Sequence, residues 1–198
     1  MNGPDDILQA KQALRAKLRF RRKHFSANLD GMAALAAFRT LPEPLLKLLT
    51  EHQSIVSGYV ASGGEPNIVP LLSEHIDHHS LAMPHHRQRD EHMDFRLWQP
   101  DQPLETGPWR TAQPSGDNAL VVPDILLVPM LGFDRRGGRL GQGGGHYDRY
   151  FAKHPQALRI GIAWSVQEID DTPREPTDLA LDAILTEQEY IITGERLG

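Results

Sequence analysis

Residues 134–148 read Asp-Arg-Arg-Gly-Gly-Arg-Leu-Gly-Gln-Gly-Gly-Gly-His-Tyr-Asp, a combination suited to gripping an anion. Six of the nine residues 137–145 are glycine, with arginines and carboxylates placed around them. Backbone N–H groups unshielded by side chains wrap phosphate, and glycine lets the chain bend and approach closely. An apolar run, residues 125–130, precedes the segment, and a helix is expected to begin near Gly144 or Gly145. Strand, glycine loop and helix start present peptide amides and a positive dipole end to an anion. The G-x-x-x-x-G-K-[ST] motif is absent, since His146-Tyr147 follow the last glycine, and the dinucleotide G-x-G-x-x-G fails at His146.

A second cationic region lies near the start. Residues 11–23 hold seven basic residues (Lys11, Arg15, Lys17, Arg19, Arg21, Arg22, Lys23) and no acidic one. Ile7, Leu14 and Leu18 share one face at helical spacing, and Lys11 and Arg15, four apart, project from one side. A solvated basic face is the plain reading of such a run, with RNA or acidic-membrane attachment as the alternative. His75 and His79 are also four apart, with His78, His85, His86 and His92 nearby. The glutamate of H-E-x-x-H is missing and no third ligand is evident, so surface histidines are expected.

The elements that position these groups alternate. Helices are expected over residues 5–24, 32–38, 44–51 and 68–78, and strands over 54–60, 80–83, 95–98, 125–130, 158–164, 183–186 and 190–193. Residues 100–123, with five prolines and two glycines, read as a surface connection able to cover a pocket. Strands alternating with helices imply an α/β fold, a mainly parallel sheet with helices on both faces. Ligands collect at the carboxyl ends of such strands, where the glycine loop falls. The 198 residues are expected to form a single domain with the basic helix packed onto it.

Composition narrows the class. Hydrophobic content of 39% and charged content of 24% are ordinary for a globular protein. There is no cysteine, no apolar run of 18 residues and no signal-like start, so a cytoplasmic protein without thiolate chemistry or a membrane span is expected. A net charge of −5 argues against bulk nucleic-acid binding.

The motif Val128-Pro129-x-Leu131-Gly132-Phe133-Asp134-x-x-Gly137-x-Arg139-Leu140-Gly141-x-Gly143-x-Gly145-x-Tyr147-Asp148 closely resembles the signature of the 5-formyltetrahydrofolate cyclo-ligase (methenyltetrahydrofolate synthetase) family. Weaker matches are Lys11-x-x-Leu14-Arg15, Gly64-Glu65 and Leu181-Asp182-x-Ile184-Leu185-Thr186-Glu187. The resemblance implies a three-layer α/β/α sandwich, related to the sugar-phosphate isomerase and CoA-transferase-like group. It also implies ATP- and Mg2+-dependent closure of 5-formyltetrahydrofolate, possibly polyglutamylated, to 5,10-methenyltetrahydrofolate. Lys11 and Arg15 then contact ATP phosphates, Arg15 also reaching the folate, and Arg139 and Lys11 are the catalytic candidates. The nucleotide run continues through Leu140, Gly141, Gln142 and Gly143, then Gly144, Gly145, His146 and Tyr147. Gln142, His146 and Glu65 face the folate, with Glu65 accepting from the pterin edge; Tyr147 and Trp109 offer flat apolar contacts there, or equally core or lid packing. Asp148 and Asp182 take the metal positions, while Asp134 shapes the loop. Three departures touch the substrate side: His146 stands for a tyrosine, Gln113-Pro114 for a common Glu-Pro, and Thr177 for a frequent histidine before Asp178. They leave two rivals, an ATP-dependent enzyme of this fold acting on another formamide or amide, and a non-catalytic nucleotide- or RNA-binding module. Monomer and dimer are equally compatible with the sequence.

Overall fold

The computed structural model of the chain describes residues 4–50, 54–74, 79–89 and 92–197. A long helix α1 (Pro4–Asn28) opens the chain, followed by α2 (Gly31–Ala36) and α3 (Glu43–Thr50). Then come β1 (Ser54–Ser57), α4 (Val69–Glu74), β2 (His79–His85) and β3 (Asp94–Leu97). Three two-residue strands follow, β4 (Glu105–Thr106), β5 (Ala112–Gln113) and β6 (Leu120–Val121), before β7 (Ile125–Pro129). The last part holds β8 (Gly132–Phe133), β9 (Arg139–Leu140), α5 (His146–Lys153), β10 (Leu158–Ile162), β11 (Ala183–Leu185) and β12 (Tyr190–Ile192).

The central sheet has eight strands in the order β12-β11-β10-β7-β1-β2-β3-β6. β2, β1, β7, β10 and β11 run parallel, as the alternating pattern predicts. β3 and β12 run against them, a departure near both edges, and β6, antiparallel to β3, returns to the common direction. The short connections from β2 to β3 and from β11 to β12 explain these reversals: a parallel return needs a crossover of about a dozen residues or more. The chain turns from β11 into β12 within residues 186–189, where the Thr186 N–H donates to the Glu189 carbonyl at 2.9 Å.

Side chains alternate across the sheet. Leu127 of β7 joins one core with Leu45, Leu49 and Leu72 from α3 and α4. Leu126 and Val128 point the other way, into a second core with Tyr150 and Phe151 of α5. Burial of such a side chain contributes about 1.5–3 kcal/mol. The sheet is thus covered on both faces. Helix α1 lies elsewhere: its Leu18 packs with Leu131 and Leu140 beyond the carboxyl end of β7. That placement carries Lys11 and Arg15 to the mouth of the sheet.

Candidate active site

Beyond the carboxyl ends of β1 and β7 lies a pocket of about 1050 Å³. Its lining includes Lys11, Arg15, Glu65, Trp109 and the run from Arg139 to Arg149. The expected glycine loop is two structures. Its first half is a β-hairpin, with β8 paired to β9 around a turn at residues 134–138. Buried Asp134 pins that turn, accepting from the N–H groups of Arg136 (2.9 Å), Gly138 (3.1 Å) and Thr172 (3.0 Å). It also takes Arg174 Nη2 at 2.8 Å. Burial alone would raise its carboxyl, but the bonds from Thr172, Arg174 and Gly138 hold it far below the ordinary carboxylate range. Asp134 is therefore a loop-shaping residue.

The second half forms the cradle. Gly143 (φ 110°) and Gly145 (φ 62°) lie in the left-handed region, which bends the chain into the first turn of α5. Gly145 is the N-cap, and no side chain among the described residues caps the helix. Uncapped amides at a helix start are groups that suit an anion. Arg139, set on β9 rather than within an open loop, has a side chain only 6% exposed. Its Nη2 donates to Asp148 Oδ1 at 2.8 Å, and its Nε is buried without an acceptor among the described residues. Arg15 Nε donates to the Gly141 carbonyl at 3.0 Å.

Lys11 is buried, its Nζ 2.5 Å from both Glu175 and Asp178. Burial would lower its ammonium, yet the hydrogen bonds and charge of Asp178 and Glu175 outweigh this and raise it. Glu175 and Asp178 line the same pocket, in a turn closed by the Glu175 N–H donating to Asp178 Oδ2 at 2.7 Å. Sequence reasoning missed both as site residues. Their partner lies more than 160 residues away, and the only local signal was the polar Glu-Pro-Thr-Asp turn.

The metal assignment of Asp182 is corrected by its position. It precedes β11, at the amino end of the parallel strands, and is not among the pocket residues. One oxygen accepts from the Arg159 N–H at 2.8 Å, and Arg196 binds both. Asp182 is a structural clip on the strand. Asp178, four residues earlier, is the pocket carboxylate of that segment.

The bland reading of the other α1 cations fails at buried Arg22 and half-buried Arg21, while Arg19 stays exposed. Arg22 is 2% exposed, donating to Glu65 (3.0 Å) and to the carbonyls of Gly63 (3.2 Å) and Met130 (3.2 Å). Arg21 donates to the Val166 carbonyl at 2.9 Å, and Arg19 to Gln142 Oε1 at 2.8 Å. Arg22 holds Glu65 at the pocket edge, with Ser62 N–H donating to its other oxygen at 3.0 Å.

The remaining wall is aromatic. His86, Trp109 and His146 meet edge to face, with ring centroids 4.6 Å apart for His86–Trp109 and His86–His146, and 5.0 Å for Trp109–His146. Burial, then His146 and His85, push the His86 imidazole down to about 4. Burial and the nearby Arg149 lower His146. His86 is neutral at pH 7, and both shifts favour the neutral ring. Tyr147 is raised by burial, with Arg139 opposing, and its hydroxyl is buried with no partner among the described residues. Leu140 lines the pocket but is essentially core, 1% exposed. His75 and His78 lie outside the described residues, and among the described residues no group of three or more metal-ligating side chains occurs.

The profile of the 5-formyltetrahydrofolate cyclo-ligase family matches residues 7–187, nearly the whole chain. The chain belongs to that family. A 5-formyltetrahydrofolate cyclo-ligase of Haemophilus influenzae is 27% identical over 186 residues, covering 89% of this chain and 97% of its own. One from Escherichia coli is 33% identical over 98 residues, covering 46% and 54%. The NMR structure of Aquifex aeolicus 5,10-methenyltetrahydrofolate synthetase superposes with a TM-score of 0.69 at 25% identity, covering 91% of this chain and 93% of that one. The family is one of ligases with an α/β fold. No helix among the described residues is long and apolar enough to cross a membrane.

Proposed function

We propose that the chain uses ATP to close 5-formyltetrahydrofolate into 5,10-methenyltetrahydrofolate, releasing ADP and phosphate. The observation that carries this reading is convergence: Lys11, Arg15, Arg139 and the uncapped start of α5 all face one pocket. The triphosphate lies along the cradle from Gly141 to Tyr147, with Lys11 and Arg15 approaching from α1. The γ-phosphoryl group passes to the formyl oxygen. N10 then attacks the activated carbon, the C–O bond breaks, the oxygen leaves within phosphate, and N10 gives up its proton. Arg139 neutralises charge on the migrating group, and no side-chain nucleophile is needed because attacker and target share one molecule.

Asp148 and Asp178 suit a divalent cation, being hard oxygen donors in the pocket, each now held by a phosphate-binding candidate. Magnesium needs few protein ligands, and when bound it supplies charge neutralisation at the phosphates. Phosphate oxygens take the place of those carboxylates on Arg139 and Lys11, freeing Asp148 and Asp178 in the same exchange. At the ring end, Glu65 receives the pterin edge, and Trp109, His146 and Tyr147 supply flat contacts. Arg21 and Arg22 bond within the fold, which weighs against an RNA module built on the whole basic run.

The test is incubation of the purified protein with 5-formyltetrahydrofolate, ATP and magnesium. Absorbance of the methenyl product rises only with all three present. ATP hydrolysis without that product would assign the pocket to a different formamide or amide.

A further inference from the structure

We propose that Gln113 is a positioning residue for the folate side of the pocket, acting through His86, and that in this chain glutamate replaces it only at a cost. This rests on the reading that the folate occupies the ring end. Gln113 is 6% exposed, and its side chain grips both main-chain groups of His86. Its Oε1 accepts from the His86 N–H at 3.2 Å, while its Nε2 donates to the His86 carbonyl at 3.0 Å. The two bonds together settle which end of the amide is which.

The clamp matters because of where it sits. β4 and β5 pair only with each other, outside the eight-stranded sheet, and their turn carries Trp109. The main pocket lies on one side of this hairpin, and a second cavity of about 460 Å³, lined by Thr106, Gly107 and Pro108, lies on the other. With space on both faces, the hairpin is held chiefly by its side-chain tethers. Gln113 supplies one tether, to the end of β2. Arg89 supplies another, its Nε donating to the Pro108 carbonyl at 3.0 Å. A Cβ on Gly107 would stand 2.3 Å from Gln113 Oε1, so the amide reaches His86 through a slot that only glycine leaves open. Since the His86 ring touches both Trp109 and His146, the main-chain position fixed by the amide bears on both contacts.

An ionised glutamate is acceptor-only. It keeps the bond from the His86 N–H but turns its second oxygen against the His86 carbonyl. The family resemblance makes Gln113→Glu a conservative change; the geometry assigns it a cost.

The experiment compares wild type, Gln113→Glu and Arg89→Met, measuring KM for 5-formyltetrahydrofolate and for ATP separately, with kcat and Tm. The expected result is a folate KM raised about tenfold in Gln113→Glu, with kcat and ATP KM within about twofold. Arg89→Met, a change at an exposed side chain, raises folate KM about two- to threefold. An unchanged folate KM, or an equal rise in both KM values, overturns the proposal. Should Gln113→Glu not fold, Arg89→Met decides by the same two criteria. A wild-type protein that forms no methenyl product overturns the cyclo-ligase reading and this inference with it. Turnover by wild type with no shift in either variant overturns this inference alone.

Discussion

The charged end of the pocket and its ring end are built by opposite means. Lys11 and Arg139 stand on a 25-residue helix and a strand, each locked to a carboxylate. His86, Trp109 and His146 touch only edge to face, and Trp109 rides a small hairpin. Buried cations need a counter-charge while the ligand is away, because an unpaired charge in a part-buried site is costly. Uncharged rings have no such need, and their placement rests on packing and on main-chain bonds such as those of Gln113 to His86. Preorganisation is therefore electrostatic at one end and a matter of packing at the other.

Removing the charged end should do the greatest damage. Arg139→Ala is expected to lower kcat/KM about 10²- to 10³-fold with an unchanged circular dichroism spectrum; a loss under about tenfold would break the contrast between the two ends. Lys11→Met comes next, raising ATP KM about 10- to 100-fold. Adding Asp178→Asn to it should recover thermal stability without recovering ATP KM, which separates the parked ion pair from its working role.

The hairpin under Arg139 gives a pH test. The folded-state value of Asp134 lies below its ordinary value of 3.8, so its contribution is complete above that pH and is lost as pH falls below it. Urea unfolding should show wild type losing its advantage over Asp134→Asn, about 1.5–3 kcal/mol, between about pH 5 and 2. A constant difference would mean that Asp134 acts through shape alone. The smallest effect belongs to the ring end: Trp109→Ala should raise folate KM about two- to tenfold and leave ATP KM unchanged in steady-state kinetics.

Much of this was readable from local pattern. β7, β10 and α5 lie where apolar runs and the glycine segment place them, and Lys11 and Arg15 share a pocket as their spacing implies. What escaped depends on distant partners. Arg22 looks like its solvated neighbours until residues 63, 65 and 130 fold around it. Asp178 and Asp182 are alike in sequence, and only the direction of β11 separates a pocket carboxylate from a clip at the other end of the sheet. The β8–β9 hairpin was hidden because glycines advertise bending, whereas the pairing is made by Asp134.

Helix α5 begins on Gly145 with no side chain of its own, among the described residues, closing the first turn. On the proposed reading, its opening peptide groups are finished by a guest. Occupancy and local order thus draw on one free energy: whatever settles there lifts the melting temperature and slows amide exchange at His146 and Tyr147.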